Sequence, residues 1–272
     1  MSNSINTNVG AMVALSSLRT TQSALQVASK QVQTGYRVSD AMDDASTFSV
    51  AQGIRGNLQA FQAVQGSLAN GVGLGTVTQA ALTNISNLIG NLQAKITQLA
   101  DGSIGNDQRT IYAADFSAMT SQISNFIVQA NYNGVNLLSN GSEAKTFLAD
   151  TSATTLTVAT GSSVSTAFTT FAGSEVSSVS SSTAALTSLT TFKQTVAAVL
   201  GQNASDSRSL QLQSNFVNSV VDATTTGLGA IVDADIGKAS ASVQALQVRQ
   251  QLGIQSLSIA NQQPSVLLGL FR

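Results

Sequence analysis

The sequence predicts a mainly α protein, a long antiparallel helical bundle or coiled coil with a small β-hairpin region in the middle of the chain. Phe61, Leu68, Gly75, Leu82, Ile89 and Ile96 recur every seventh residue with no Pro between them, which is the spacing of a heptad seam. Tyr112, Phe116, Met119, Ile123, Phe126 and Ala130 follow at steps of three and four, so a second amphipathic helix comes after a short turn. Between Asn131 and Thr183 that periodicity stops, and short β-branched runs lie among Gly and Ser.

The first zone covers about Val9 to Val32. Ala11, Leu15, Leu18, Leu25 and Val32 lie on one helical stripe, with Gln22 and Ser29 as its polar members. Gly35 can end this helix, since a helix terminus favours a left-handed residue. Tyr36 to Thr47 is a connector in which Asp43, Asp44 or Ser46 could cap the next helix. That helix runs from about Ser46 to Leu99, with Leu58 and Val72 expected on the partner positions of the seam. Its Phe61 to Ile96 segment is about 50 Å long at helical rise. Ala100 to Gly105 is a turn, and Asn106 or Asp107 is expected to cap the third helix. A short turn between two long helices implies an antiparallel pair.

Asn131-Tyr132-Asn133-Gly134 is a turn signal. Thr155 to Ala159 and Ala167 to Phe171 are expected as short strands, and Ser174 to Thr183 as a flexible Ser-rich loop. The fourth zone starts near Ala184. Leu186, Leu189, Val196 and Leu200, then Phe216, Val217, Val220 and Val221, form its stripe. Gly227, Gly229 and Asp233 to Gly237 are expected to interrupt it. A final helix carries Ala239, Val243, Leu246 and Leu257 and is expected to end before Pro264.

The expected domains follow from these breaks. Residues 1–35 and 237–272 form a discontinuous terminal coiled coil, 36–56 and 227–236 are connectors, and 57–226 is a helical bundle with its hairpin region at about 131–183. A two-helix pair buries too little surface to be stable alone. The ends are therefore expected to order fully only against neighbouring subunits.

Composition narrows the function. Only 9% of residues are charged and the net charge is -1, against roughly 25% charged in ordinary domains. So few charges protect a monomer poorly against association, which favours a chain covered by copies of itself. No basic excess points to nucleic acid or to an anionic membrane. There is no Cys and no His, so disulfides, thiolate ligands and the commonest general base are missing. No catalytic, cofactor-binding or metal residues are expected. Gly71, Gly73 and Gly75 form a Gly-x-Gly-x-Gly run, but it lies on the heptad seam and lacks the Walker pattern with its Lys. Asn84-Ile85-Ser86, Asn140-Gly141-Ser142 and Asn203-Ala204-Ser205 match the N-glycosylation sequon, a use not expected here. The N-terminal stretch lacks a basic start followed by an apolar run, so export without a cleaved signal is the expectation if the chain is secreted.

Both ends carry a family resemblance. Ser4-Ile5-Asn6-Thr7-Asn8 with Ala14-Leu15 and Leu18, and Thr34-Gly35-Tyr36-Arg37-Val38 followed by Asp43-Asp44-Ala45, resemble the start of bacterial flagellin. Asn133-Gly134-Val135-Asn136-Leu137-Leu138 is similar to its "FNG…LL" segment. Asp233-Ala234-Asp235, Gln251-Leu252-Gly253-Ile254-Gln255, Ala260-Asn261-Gln262 and Val266-Leu267-Leu268 through Phe271-Arg272 resemble its tail. The match covers both ends in order, roughly two-thirds of the chain. It resembles a short, minimal flagellin of alphaproteobacterial type, without large outer variable domains.

The resemblance implies an extracellular subunit of the flagellar filament, exported unfolded and added at the distal tip. It implies Leu15, Leu18, Leu25, Val32, Val243, Leu246, Leu257, Leu267, Leu268 and Phe271 as inner coiled-coil residues. Arg37, Asp43, Asp44, Asp233 and Asp235 are implied as polar connector contacts, with Arg37, Asp43 and Asp44 forming a polar lock within or between subunits in which Arg37 can pair a carboxylate. Implied partners are further copies of the chain, the flagellar export apparatus, a chaperone on the C-terminal region, the filament cap and hook-associated proteins. A hook-associated junction protein, or a helical scaffold of another class, is the alternative. The innate-receptor patch aligns on Gly90 to Gln98, but Asn91 and Ala94 replace its Arg and Glu and Lys95 replaces its Leu, so weak or absent recognition is expected. Thr151 to Thr183 is a candidate O-glycosylation region.

Overall fold

A computed structural model describes the backbone of residues 7–269 and the side chains through residue 262. The element order is α1 (Val9–Thr34), α2 (Ala45–Leu99), α3 (Asn106–Gln129), β1 (Lys145–Leu148), β2 (Thr155–Val158), α4 (Ser162–Ala172), α5 (Val179–Val232) and α6 (Ile236–Gly269). The chain forms two compact units. One contains the chain ends, up to Gly56 and from Ala223, and the other is Asn57–Asp222.

Local chemistry sets the boundaries. Gly35 ends α1 at φ +74°, and its N–H donates to the Gln31 carbonyl at 2.9 Å. Asp44 caps α2, its Oδ1 accepting from Ser46 and Thr47 N–H at 3.1 Å. Helices thus replace much of the expected connectors, since α2 starts at Ala45 and α5 continues through Gly227 and Gly229 to Val232. Glycine lowers helix stability by only about 1 kcal/mol, and a long helix tolerates two. The expected cap of α3 by Asn106 or Asp107 is not formed: Gly105 takes the cap position without a side-chain bond, and Asp107 sits in the first turn. Arg109 instead donates to the carbonyls of Leu99 and Asp101 at the end of α2.

In the Asn57–Asp222 unit the heptad of α2 is continuous. Leu68, Gly75, Leu82, Ile89 and Ile96 are buried, with Phe61 half-buried. The second seam row is Val64, Gly71, Thr78, Ile85, Leu92 and Leu99, all buried. Leu58 and Val72, expected on that partner row, lie one residue off it and are only half-buried, because the core takes small Gly71 and Thr78 where the helices approach. Phe171 stacks on Phe192 at 5.8 Å and meets Phe116 edge-on at 5.7 Å, joining α3, α4 and α5.

Asn133 and Gly134, at φ +49° and +80°, make the expected turn between Tyr132 and Val135. β1 and β2 form one antiparallel hairpin, with Lys145 opposite Val158 and Leu148 opposite Thr155. Ala167 to Phe171 is not a strand but lies in α4. Val164, Phe168 and Phe171 recur at helical spacing, and Val164 and Phe171 are fully buried, so burial period overrides β-branched composition. Ser174 to Thr183 is only partly a loop, because α5 begins at Val179. Ser178 and Ser181 cap it reciprocally through bonds of 3.0 and 3.2 Å. Phe216, expected on the core stripe, is 61% exposed, and Val217 beside it is buried.

The Gly71-Gly73-Gly75 run marks close packing on α2. A Cβ at Gly71 would lie 3.0 Å from Phe147 and Leu210, and one at Gly73 would lie 2.6 Å from the Tyr132 ring. One at Gly75 would collide with Ser207 Oγ. Next to it Asn203, 4% exposed, donates to the Gly75 carbonyl at 2.9 Å. That burial leaves no room for a glycan on the sequon at Asn203.

α6 does not end before Pro264 but continues to Gly269. Proline removes one helical donor, here the N–H that would reach the carbonyl of Ala260. The Asn8 side chain supplies a replacement, with Nδ2 donating to that carbonyl at 2.7 Å.

Candidate functional site

The unit made of the chain ends is a helix pair closed by the connectors. Ala260 lies against Asn8 and Gly10, Gly253 against Leu18, and Ala234 donates to the Gly35 carbonyl at 2.9 Å. These contacts make α1 and α6 antiparallel. On α1 the covered positions are Ala11, Ala14, Leu18, Thr21, Leu25 and Ala28. On α6 they are Ala239, Val243, Leu246, Gln250, Gly253, Leu257 and Ala260. Both sets advance by alternating steps of three and four, a two-helix seam.

The seam alternates Ala, Thr and Gly with Leu and Val, and many other large residues point outward. Val9, Met12, Val13 and Val27 on α1 are 50–65% exposed, as are Val248, Leu252, Ile254 and Ile259 on α6. Leu15 and Val32, expected on the inner stripe, are also exposed, at 38% and 37%. Ala14 and Ala28, each one residue before an expected stripe member, take those positions on the seam. Leu18, Leu25, Val243, Leu246 and Leu257 are buried or half-buried in the pair. Leu267 and Leu268 fall within α6, but their side chains lie outside the described residues, as does Phe271 altogether. A groove of about 560 Å³ runs between the helices, lined by Ala14, Thr21, Leu246, Leu252 and Gly253 among others. Covering an exposed Val, Leu or Ile contributes about 1.5–3 kcal/mol, so this surface can drive association once several such residues are covered together.

The connectors hold the pair through polar contacts. Arg37 N–H donates to the Val232 carbonyl at 2.7 Å, and its guanidinium donates to the Ile231 carbonyl. Within one chain Arg37 thus engages main-chain carbonyls and not a carboxylate. The cation at Asp43 is Lys30, whose Nζ lies 2.8 Å from Asp43 and 2.6 Å from Asp40. Asp43 also accepts from Ser39 and Asp40 N–H. Asp235 caps α6, accepting from Lys238 N–H at 3.0 Å. Asp233 bridges to Tyr36 through the main chain, and Arg55 lies 6.0 Å over the Tyr36 ring.

These contacts set the acid chemistry of the connector. The ammonium of Lys30, then the Ser39 N–H, hold the Asp43 carboxyl far below the usual carboxylate range. Lys30, then the Met42 N–H, lower Asp40, while Asp40 and then Asp43 raise Lys30. The hydroxyl and N–H of Thr47 lower Asp44 to about 2. Lys30, Asp40 and Asn8 were not identified from the sequence. Lys30 was legible, because Arg19 and Lys30 are the only charged residues of α1.

Among the described residues no cluster of three or more His, Cys, Asp or Glu could hold a metal, and no helix is long and apolar enough to cross a membrane.

The pattern of the bacterial flagellin N-terminal helical region matches residues 5–143, and that of the flagellin C-terminal helical region matches residues 183–271. The chain is 37% identical over 271 residues to flagellin FljN and 34% identical over 270 residues to flagellin FljK, both of Caulobacter vibrioides. It is 33% identical over 282 residues to a flagellin of Brucella melitensis. Each alignment covers 99% of both chains. The alphaproteobacterial character implied by the resemblance agrees with these relatives. The chain belongs to the bacterial flagellin family and is a structural subunit of the extracellular flagellar filament.

Proposed function

We propose that α1 and α6 form the inner coiled-coil layer of the filament and that neighbouring copies cover their outward apolar residues. The second apolar face carries this reading: one face of each helix closes the pair within one chain, and Val9, Met12, Val13, Leu252, Ile254 and Ile259 on the other face are left for other copies. In this reading Leu15 and Val32 contact neighbours, Leu18, Leu25, Val243, Leu246 and Leu257 hold the pair, and Leu267, Leu268 and Phe271 extend the apolar surface. Arg37, Asp43, Asp44, Asp233 and Asp235 fix the connectors. The Asn57–Asp222 unit carries its own buried core and forms the surrounding layer.

The subunit travels unfolded through the flagellar export apparatus, with a chaperone covering the apolar C-terminal region beforehand. It is added beneath the filament cap, and hook-associated proteins adjoin the filament base. The chain acts as a structural element without catalysis, and it binds neither nucleic acid nor membrane. Exposed hydroxyls throughout Thr151 to Thr183, among them Thr151, Ser152, Thr155, Ser163 and Ser177, make this segment the O-glycosylation candidate as a region, with no single site assigned. Recognition by the innate receptor is weak, because Asn91 and Ala94 stand where its pattern carries Arg and Glu, and Lys95, paired with Asp115 at 3.1 Å, stands where it carries Leu.

The test is cryo-EM of seeded polymers of the purified chain. A tube with both chain ends in its inner layer is the expected result. A chain that stays monomeric, or a tube with α1 and α6 on its outside, would overturn the reading.

A further inference from the structure

We infer that Asn8 is the positioning residue that holds the open end of the α1/α6 pair, by filling the hydrogen-bond gap that Pro264 opens in α6. The inference rests on the reading of this pair as the assembling element.

The pair is pinned at one end by main-chain bonds, Arg37 to Val232 and Ala234 to Gly35. Along its length the seam is mostly apolar contact, which is not directional. At the other end one polar side chain touches both helices. Asn8 Oδ1 accepts from Ala11 N–H at 3.0 Å, which caps α1. Its Nδ2 donates to the Ala260 carbonyl at 2.7 Å.

The Ala260 carbonyl is the acceptor that the N–H of residue 264 would serve in an uninterrupted helix. Residue 264 is the chain's single Pro, so that carbonyl needs a donor from elsewhere. Only one orientation of the Asn8 amide serves both helices, since Ala11 offers a donor and Ala260 an acceptor. Asp would keep the cap and lose the donor. Ser would keep the cap but is too short to reach Ala260. The residue types at 8 and 264 are therefore complementary: Pro264 makes α6 dependent on an outside donor at one level, and Asn8 supplies it at that level alone.

The test is a double-mutant cycle on the full chain, read as the critical concentration for elongation on wild-type seeds. Asn8→Ser keeps an N-cap of similar strength and removes the donor. With Pro264 present it should raise the critical concentration roughly fivefold to tenfold, the worth of one hydrogen bond. With Pro264→Ala the helix supplies its own N–H, and Asn8→Ser should then change the value by less than about twofold. An equal effect in both backgrounds would reduce Asn8 to a local cap, and no effect in either would remove its role; both overturn the inference. If a variant fails to assemble at all, wild-type filaments decide. Solid-state NMR on filaments labelled with 15N-Asn and 13C-carbonyl Ala should show an Asn8 Nδ2 to Ala260 carbonyl contact. Rigid termini without that contact overturn the latch alone, whereas mobile termini overturn the assembly reading together with it.

Discussion

Leu18 of α1 lies directly on Gly253 of α6: a Cβ on that glycine would sit 3.3 Å from Leu18 Cδ1. Glycine inside a helix costs about 1 kcal/mol relative to alanine, so its place here reflects the close approach of the helices. Gly253→Val adds a branched side chain where Leu18 already packs. Overpacking of this kind costs about 1–3 kcal/mol, and the cost recurs in every subunit. Seeded elongation followed by sedimentation should show a large loss of polymer. Wild-type yield from Gly253→Val would show that the pair opens during assembly.

Gly73 and Gly90 offer a paired prediction within α2. A Cβ at Gly73 would lie 2.6 Å from Tyr132, while one at Gly90 would meet nothing within 4 Å. Gly73→Ala must displace the ring and should destabilise the Asn57–Asp222 unit by about 1–3 kcal/mol. Gly90→Ala, on an exposed helical position, should stabilise it by up to about 1 kcal/mol. Urea unfolding of the full chain, monitored at Tyr132 or by helix content, distinguishes the two. Equal shifts in the two variants would contradict the packing argument.

Heptad positions were legible where one face is buried in the monomer. Leu82, Ile89 and Ile96 of α2 and Phe116 and Ile123 of α3 are all at most 5% exposed. The reading weakened where a second apolar face is exposed in the single chain. On α1 the large residues Leu15 and Val32 outweighed Ala14 and Ala28, yet the alanines line the seam. Hydropathy cannot tell a contact within the chain from one between chains. In α4 the Thr and Phe composition suggests a strand, while the Val164, Phe168 and Phe171 spacing is helical and decides the outcome. In the connector the motif residues were legible but their pairing was not: Arg37 reaches a carbonyl 194 residues away in sequence, and Lys30 takes the carboxylates.

Arg37 and Lys30 should behave differently when truncated. Arg37→Ala removes a charged donor from the Ile231 carbonyl but leaves the main-chain bond from its own N–H to Val232. A charge-assisted bond is worth about 1.5–3 kcal/mol, less at an exposed site. The expected outcome is shorter or straighter filaments with assembly retained. Lys30→Ala leaves Asp40 and Asp43 facing each other without a cation, and should loosen the segment between α1 and α2. Hydrogen exchange at Ser39 to Asp43 in filaments reads this directly. Unchanged waveform in the first variant and unchanged exchange in the second would remove both roles.

The connector should open at both extremes of pH. Asp40, Asp43 and Asp44 have lowered pKa values, Asp44 about 2 against the usual 3.8. Their contribution is present above pH 3.8 and is lost as pH falls through the folded values, about 2 for the Asp44 cap. Lys30 is raised above 10.5, so its contribution holds below that value and is lost as pH rises past the folded pKa. Exchange protection of Ser46 and Thr47, which donate to Asp44, should therefore be flat from pH 5 to 9 and fall between about pH 4 and 2, after correction for intrinsic exchange. Asp44→Asn should remove most of that acid dependence, and an unchanged acid limb in this variant would assign it to other carboxylates.

Truncation after Gln262 separates the stability of one chain from its assembly. The deleted segment includes Pro264 and the apolar residues Val266, Leu267, Leu268 and Phe271, and it lies outside the Asn57–Asp222 stretch of chain that forms the other unit. That unit should unfold in urea at its wild-type midpoint. Elongation on seeds should fail, because each subunit loses part of the apolar surface assigned to its neighbours, and each buried large side chain is worth about 1.5–3 kcal/mol. Wild-type elongation from the truncated chain would place the assembling surface elsewhere on α1 and α6. A lowered urea midpoint would instead tie the C-terminal segment to the stability of the other unit.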